Sequence, residues 1–232
     1  MSNLVFTILL IICMVMGYIS PAIAANNEDI QQLLQENWCV SFLWKQCDLS
    51  KADLHGANLA GANLAGANLA GANLAGANLR KANLSNADLS QTNLTNVDLI
   101  DADLSKADLK EADLTQGRLW NADLTLANLS KANLQNANLS EGRLWGTNLK
   151  SANLVQAILH GVDLQYANLG KTNLMGADFH SFSSRSSQQL TNLSYANLEG
   201  ANLKNTDLRG VKFKGTIMPD GSVKEGNFGE LE

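Results

Sequence analysis

The chain has 232 residues, with 22 acidic against 17 basic side chains, a formal charge of −5, 6% aromatic residues and two prolines. A balance this mild excludes a binder that works by neutralising nucleic-acid phosphates, and it is too weak for a strongly acidic DNA mimic. Few aromatics and few prolines fit one continuous, narrow-cored body better than two globules.

Residues 1–24 carry no charged side chain, and Leu4 to Ile19 forms an apolar run of about 16 residues. That is shorter than the ~20 residues needed to span a bilayer. It is followed by Ser20-Pro21 and Ala22-Ile23-Ala24, the small-residue pattern read by signal peptidase. An export signal cleaved after Ala24 is expected, with no membrane insertion of the mature chain; an uncleaved anchor is the alternative. Cys13 follows Ile11-Ile12 rather than a small residue, which excludes a lipoprotein signal.

Residues 25–46 read as a cap. Asn27 suits an N-cap and Glu28 and Asp29 suit the positive end of a helix, while Ile30, Leu33, Leu34 and Trp38 recur at helical spacing. With Val40, Phe42, Leu43 and Trp44 they would cover the open end of a stacked core. In an oxidising compartment Cys39 and Cys47 would close a short loop worth about 2–3 kcal/mol. The alternative is two buried thiols.

From Leu49 every fifth residue is leucine as far as Leu174, and Phe179 ends the series of 27 centres. A small residue stands two places before each centre. Asn or Asp stands immediately before it, except at Arg118, Arg143 and Ile158. Gly56 to Leu79 repeats Gly-Ala-Asn-Leu-Ala almost without variation. A period of five is neither 3.6 nor 2, so it announces stacked repeats. The pattern resembles the pentapeptide-repeat family. That resemblance implies an all-β fold, a right-handed four-sided β-helix with one repeat per side, 20 residues per coil and about eight coils. It also implies that centres and small residues point inward.

His180 to Leu190 breaks the register, and centres resume one place out of phase at Leu193. The chain thus divides into a signal (1–24), a cap (25–46), a first repeat block (47–181), a loop (182–190), a second block (191–215) and a C-terminal cap or tail (216–232), which opens on a turn at Thr216 to Gly221 and is expected to cover the last coil.

If residues 20 apart stack, Ala60, Arg80, Ile100, Trp120, Ser140, His160 and His180 form one outward column. Leu126, Trp145 and Tyr166 lie on the neighbouring face. Ile100, Arg118, Trp120, Leu126, Arg143, Trp145 and Tyr166 are the candidate interaction patch, because outward Trp beside Arg concentrates contact energy. Lys51, Lys110, Lys131, Lys150 and Lys171, among Asp48, Asp88, Asp108 and Glu111, read as a self-compensating solvated face. His160 and His180, with Asp178 near, are the weak candidates for a metal. No nucleophile motif or phosphate loop occurs, so no catalytic residue, cofactor or enzyme activity is expected.

Three functions compete. The first is an exported scaffold, periplasmic or in the thylakoid lumen, that binds an unidentified protein and no nucleic acid, with end-to-end dimers compatible with its shape. The second, which requires a cytosolic location, is a DNA-mimicking modulator of a type II topoisomerase. The third is a metal- or ice-binding surface.

Overall fold

The computed structural model describes residues 47–180 and 190–227 together with Ile30 and Gln35. The expected signal, most of the cap helix and lid, most of the 182–190 loop and the last five residues lie outside the described residues. Ile30 and Gln35 are helical, and Ile30 packs half-buried against the core.

One repeat explains the rest. The N–H of Leu149 donates to the carbonyl of Asn168 on the next coil at 2.8 Å, and the N–H of Asn168 returns to the carbonyl of Thr147 at 2.9 Å. The chain then turns: Ala152 N–H donates to Leu149 C=O at 3.0 Å, with Ser151 held at φ 60°. Positive φ at the second central residue is the mark of a type II turn. Asn148 secures that corner, because its Oδ1 accepts the N–H of Lys150 at 3.2 Å. Its Nδ2 also donates to Asn128 Oδ1 of the preceding coil at 3.0 Å.

The same amide ladder accounts for part of the mixture of Asn and Asp. An ionised carboxylate only accepts, so where Asn follows Asp in a column the amide is the donor. Asn68 donates to Asp48 at 3.1 Å, Asn73 to Asp53 at 3.0 Å and Asn128 to Asp108 at 2.9 Å.

Parallel bridges join each residue to the one 20 places on, as Asp48 to Asn68, in four columns that begin at Asp48, Asp53, Asn58 and Asn63. One coil therefore takes four repeats. Every leucine centre from Leu49 to Leu174 is at most 2% exposed and Phe179 is fully buried. At ~1.5–3 kcal/mol per buried leucine, this ladder is the main source of stability. Thr92, Thr147 and Thr172 take the small inward position, and their hydroxyls donate to the carbonyls of Leu69, Leu124 and Leu149 at 2.8–3.1 Å.

Across the interruption the columns pair Asp163 with Asn192, Asn168 with Asn197, Asn173 with Asn202 and Asp178 with Asp207. The offset is 29 residues instead of 20. The stack thus continues in all four columns past a nine-residue excess at one corner. Thr191 closes that corner: its hydroxyl lies 3.0 Å from the carbonyl oxygens of Leu159 and Phe179 and accepts the N–H of Gly161 at 2.9 Å.

Strand β1 (Lys212–Ile217) extends two columns, with Asn192 bridging Lys212 and Asn197 bridging Ile217. Strand β2 (Val223–Asn227) pairs antiparallel with β1. It thereby gives the outer edge of the last coil a partner that would otherwise be open to another chain. Cys47 is 6% exposed and disulfide-bonded, while Cys39, its expected partner, lies outside the described residues. Among the described residues no helix is long and apolar enough to cross a membrane.

The corners set a backbone demand that can be tested at Gly66, at φ 67° with nothing within 4 Å of an added Cβ. Gly66→Val should lower stability by ~1–2 kcal/mol, purely from the left-handed backbone. Gly66→Asn should recover most of that loss, since Asn86 and Asn96 hold φ 58° and 56°. Denaturant unfolding of both variants checks it; equal losses would contradict the backbone explanation.

Candidate interaction surface

Each coil has four corners, and side chains at equivalent turns stand above one another because the coils are bonded there. Leu126 N–H donates to Trp145 C=O at 2.9 Å, Tyr166 N–H to Ser194 C=O at 3.1 Å and Tyr195 N–H to Lys214 C=O at 2.7 Å. Leu126, Trp145, Tyr166 and Tyr195 consequently form one ridge. They are 47%, 41%, 52% and 43% exposed in a chain that buries all its leucine centres up to Leu174.

The ridge is ordered by its own contacts. The Trp145 and Tyr166 rings lie 5.5 Å apart at 60°, Tyr166 and Tyr195 stack at 5.0 Å and 13°, and Lys214 Nζ sits 6.0 Å from the Tyr195 ring centre. Aromatic pairs of this kind contribute ~0.5–1.5 kcal/mol beyond burial. Glycines in the same column make room for it. A Cβ on Gly146 would meet Leu126 Cδ2 at 2.8 Å, and one on Gly215 would meet the Tyr195 ring at 2.8 Å.

The residues expected to form the patch fall on two neighbouring corners, and one of them, Ile100, is not outward. Trp120, 38% exposed, stands on the adjacent corner, across the bridge column that contains Asp103, Asp123, Arg143 and Asp163. Ile100, expected in the patch, is only 8% exposed and belongs to the wall, in the column between Arg80 and Trp120. Arg118 and Arg143 are exposed but engaged. Arg118 Nη1 lies 3.0 Å from Asp98 Oδ2, which also takes Arg80 Nη1 at 3.4 Å, and Arg143 pairs with Asp123. Each arginine occupies the bridge position one coil beyond its aspartate. Burial pushes the Asp123 carboxyl up, but hydrogen bonds from Thr125 and the Arg143 guanidinium outweigh it and hold the pKa below the usual value.

Tyr195 was not legible as a ridge member by counting in twenties. The excess at the interruption moves the residue beneath Tyr166 from the twentieth to the twenty-ninth place. The Tyr-Ala-Asn-Leu context that Tyr166 and Tyr195 share was the available signal.

On the lysine face, Lys131 Nζ lies 3.1 Å from Glu111 Oε1, and that hydrogen bond holds the Glu111 carboxyl low. Lys51, Lys110, Lys150 and Lys171 are exposed. His160 Nε2 lies 2.9 Å from Asp178 Oδ2, and the backbone N–H of His180 donates to Asp178 Oδ1 at 2.9 Å. Among the described residues no group of three or more His, Cys, Asp or Glu side chains is placed to hold a metal ion.

Comparison with known proteins agrees with this architecture. The family model for pentapeptide repeats matches residues 47–86, 77–116, 107–146, 143–180 and 190–219, in eight copies. HetL, a pentapeptide repeat protein involved in heterocyst differentiation regulation in the cyanobacterium Nostoc sp. strain PCC 7120, is 34% identical over 76% of this chain and 91% of its own, with a TM-score of 0.42. QnrB1, a plasmid-mediated fluoroquinolone resistance protein, is 21% identical over 70% of this chain and 77% of its own, with a TM-score of 0.53, a likeness of fold. A pentapeptide repeat protein of the Arabidopsis thaliana thylakoid lumen is 33% identical over 47% of this chain and 72% of its own, with a TM-score of 0.35. No curated protein matches.

The column that carries Asp178 continues to Asp207, whose carboxyl is held down at about 2, against a usual 3.8, chiefly by the hydrogen bond from Arg209. A carboxyl depressed by folding contributes stability above its unfolded pKa and loses that contribution as pH falls through its folded pKa. Carbon NMR of the Asp207 carboxyl should therefore titrate with a midpoint near 2, and Arg209→Gln should move it back towards 3.8.

Proposed function

We infer a binding role from the premise that this chain belongs to the pentapeptide-repeat family. It is a repeat scaffold, and we propose that the scaffold is exported and holds a protein partner against its exposed aromatic corner. The finer shape belongs to the same proposal: a right-handed coil of about eight turns, closed at its N-terminal end by the residue 25–46 cap.

One observation carries the reading. Leu126, Trp145, Tyr166 and Tyr195 stand more than 40% exposed in a contiguous, mutually packed ridge, with Trp120 on the next corner. Scattered apolar residues on a surface need no explanation, but an ordered cluster of large ones is the composition of a contact site. Packing within the ridge lowers the entropy that binding would otherwise cost. Nothing of this kind is offered by the Gly56–Leu79 coils, whose outward side chains are Ala, Asn and the hydrogen of Gly.

Export to the periplasm or thylakoid lumen is proposed from the apolar run Leu4 to Ile19 and the Ala22-Ile23-Ala24 site. The disulfide-bonded state of Cys47 supports an oxidising compartment, with Cys39 as the proposed partner.

Two measurements test these statements. Trp120→Ala combined with Trp145→Ala should abolish capture of a partner from a periplasmic or lumenal extract while leaving the β-type circular dichroism unchanged; unaltered capture would count against the ridge. Intact-mass analysis of the purified mature chain should show loss of residues 1–24 and of two thiol hydrogens, regained on reduction. Residues 1–24 intact in a cytosolic chain with free Cys39 and Cys47 would overturn export.

A further inference from the structure

We propose that the face between Trp120 and the Leu126–Tyr195 ridge docks an extended segment of a partner protein that carries lysine or arginine. The inference rests on the interaction reading above and adds the chemistry of the partner.

Charge decides the occupant. Asp101, Asp103, Asn121, Asp123, Glu141 and Arg143 line a groove on this face, and Asp163 continues it one coil further. Arg143 is already paired with Asp123, and Arg118 shares Asp98 with Arg80. Asp101, Asp103, Glu141 and Asp163 take part in no ion pair among the described residues. Their hydrogen bonds are local and neutral: Asp101 accepts Asn121 Nδ2 at 2.9 Å, Asp103 the N–H of Ser105 at 2.9 Å and Asp163 the N–H of Gln165 at 3.1 Å. The face therefore presents four uncompensated carboxylates beside an exposed apolar ridge. An acidic partner would meet these carboxylates, and the arginine among them, Arg143, is already paired. A basic one finds carboxylates for its charges and apolar surface for its aliphatic stems.

Dimensions set the length. Asp103 to Asp163 spans three coil steps, about 14 Å at ~4.8 Å per step, which matches four or five extended residues. Lys81 stands one coil before Asp101 and Lys106 on the ridge corner in the coil of Asp103, while Lys212 and Lys214 lie beyond the C-terminal side, so lysines mark both ends of the acidic window. Trp120 can take a cation over its ring. Tyr166 and Tyr195 each turn one face to the other, and Lys214 already stands over the Tyr195 ring.

The test uses the whole chain and three labelled ten-residue peptides that alternate leucine with lysine, glutamate or serine, followed by fluorescence anisotropy. The lysine peptide should bind, and its affinity should fall at least about tenfold between ~0.05 and ~0.5 M salt. Asp101→Asn, Asp103→Asn, Glu141→Gln and Asp163→Asn combined should produce a similar loss, and the glutamate peptide should not bind. The Asn substitutions keep the local hydrogen bonds, and unchanged circular dichroism verifies the fold. Equal binding of the lysine peptide by the neutralised variant overturns the inference, as does failure of the lysine peptide to bind. If the serine peptide binds as tightly, with the affinity dependent on Trp120 and Trp145, the cationic partner is wrong and the interaction reading stands. Concentration-dependent self-association that the same tryptophan substitutions abolish would assign the face to a second copy and overturn the proposal.

Discussion

Every coil donates backbone N–H groups to the next and accepts others back at 2.6–3.1 Å, and the remaining features are consequences of keeping that exchange in step. A coil that must return above itself after 20 residues has to turn four times by the same amount. Each turn therefore repeats one conformation, with its second central residue left-handed. Among the described residues twenty non-glycine residues accept that conformation, including Leu126, Tyr166 and Tyr195. The strain each introduces is modest beside the ~1.5–3 kcal/mol from each buried leucine. The ridge exists because core and ladder can support large side chains at positions where the backbone would prefer glycine.

The period of five made the core legible before any coordinates: leucines from Leu49 onward point inward because nothing else reconciles their spacing with burial. Outward residues were legible only as columns, and column membership does not reveal depth. Ile100 and Trp120 occupy equivalent places, yet one is 8% and the other 38% exposed, which depends on how each side chain lies along the wall. Tyr195 escaped because an excess of chain at one corner changes the count while the columns continue. Of the β1–β2 hairpin the turn before Val223 was legible but the strand pairing was not, since antiparallel pairing at the end of a parallel stack breaks the repeat that guided the reading. Arg118 and Arg143 were recognised as departures, but their engagement by Asp98 and Asp123 came from the same 20-residue register.

That engagement changes what the surface presents. Taken alone, two exposed arginines beside tryptophans suggest affinity for anions. Arg143 with Asp123 beneath it becomes a neutral spacer, Arg118 shares Asp98 with Arg80, and the carboxylates around Arg143 set the sign of the field there. A static pair at the surface contributes little to stability, but it decides which charges are left over.

The corner after Phe179 separates two quantities that chains of this kind otherwise keep equal: how much polypeptide a turn contains and where that turn delivers the next strand. Nine extra residues enter there, and every column resumes its place with Thr191 bonded across the seam. Loop-closure entropy grows slowly, about 0.6 kcal/mol for each doubling of length. The seam therefore works as a length-indifferent port in an otherwise metrically rigid object. Polypeptide can be added there while the wall on either side keeps its spacing.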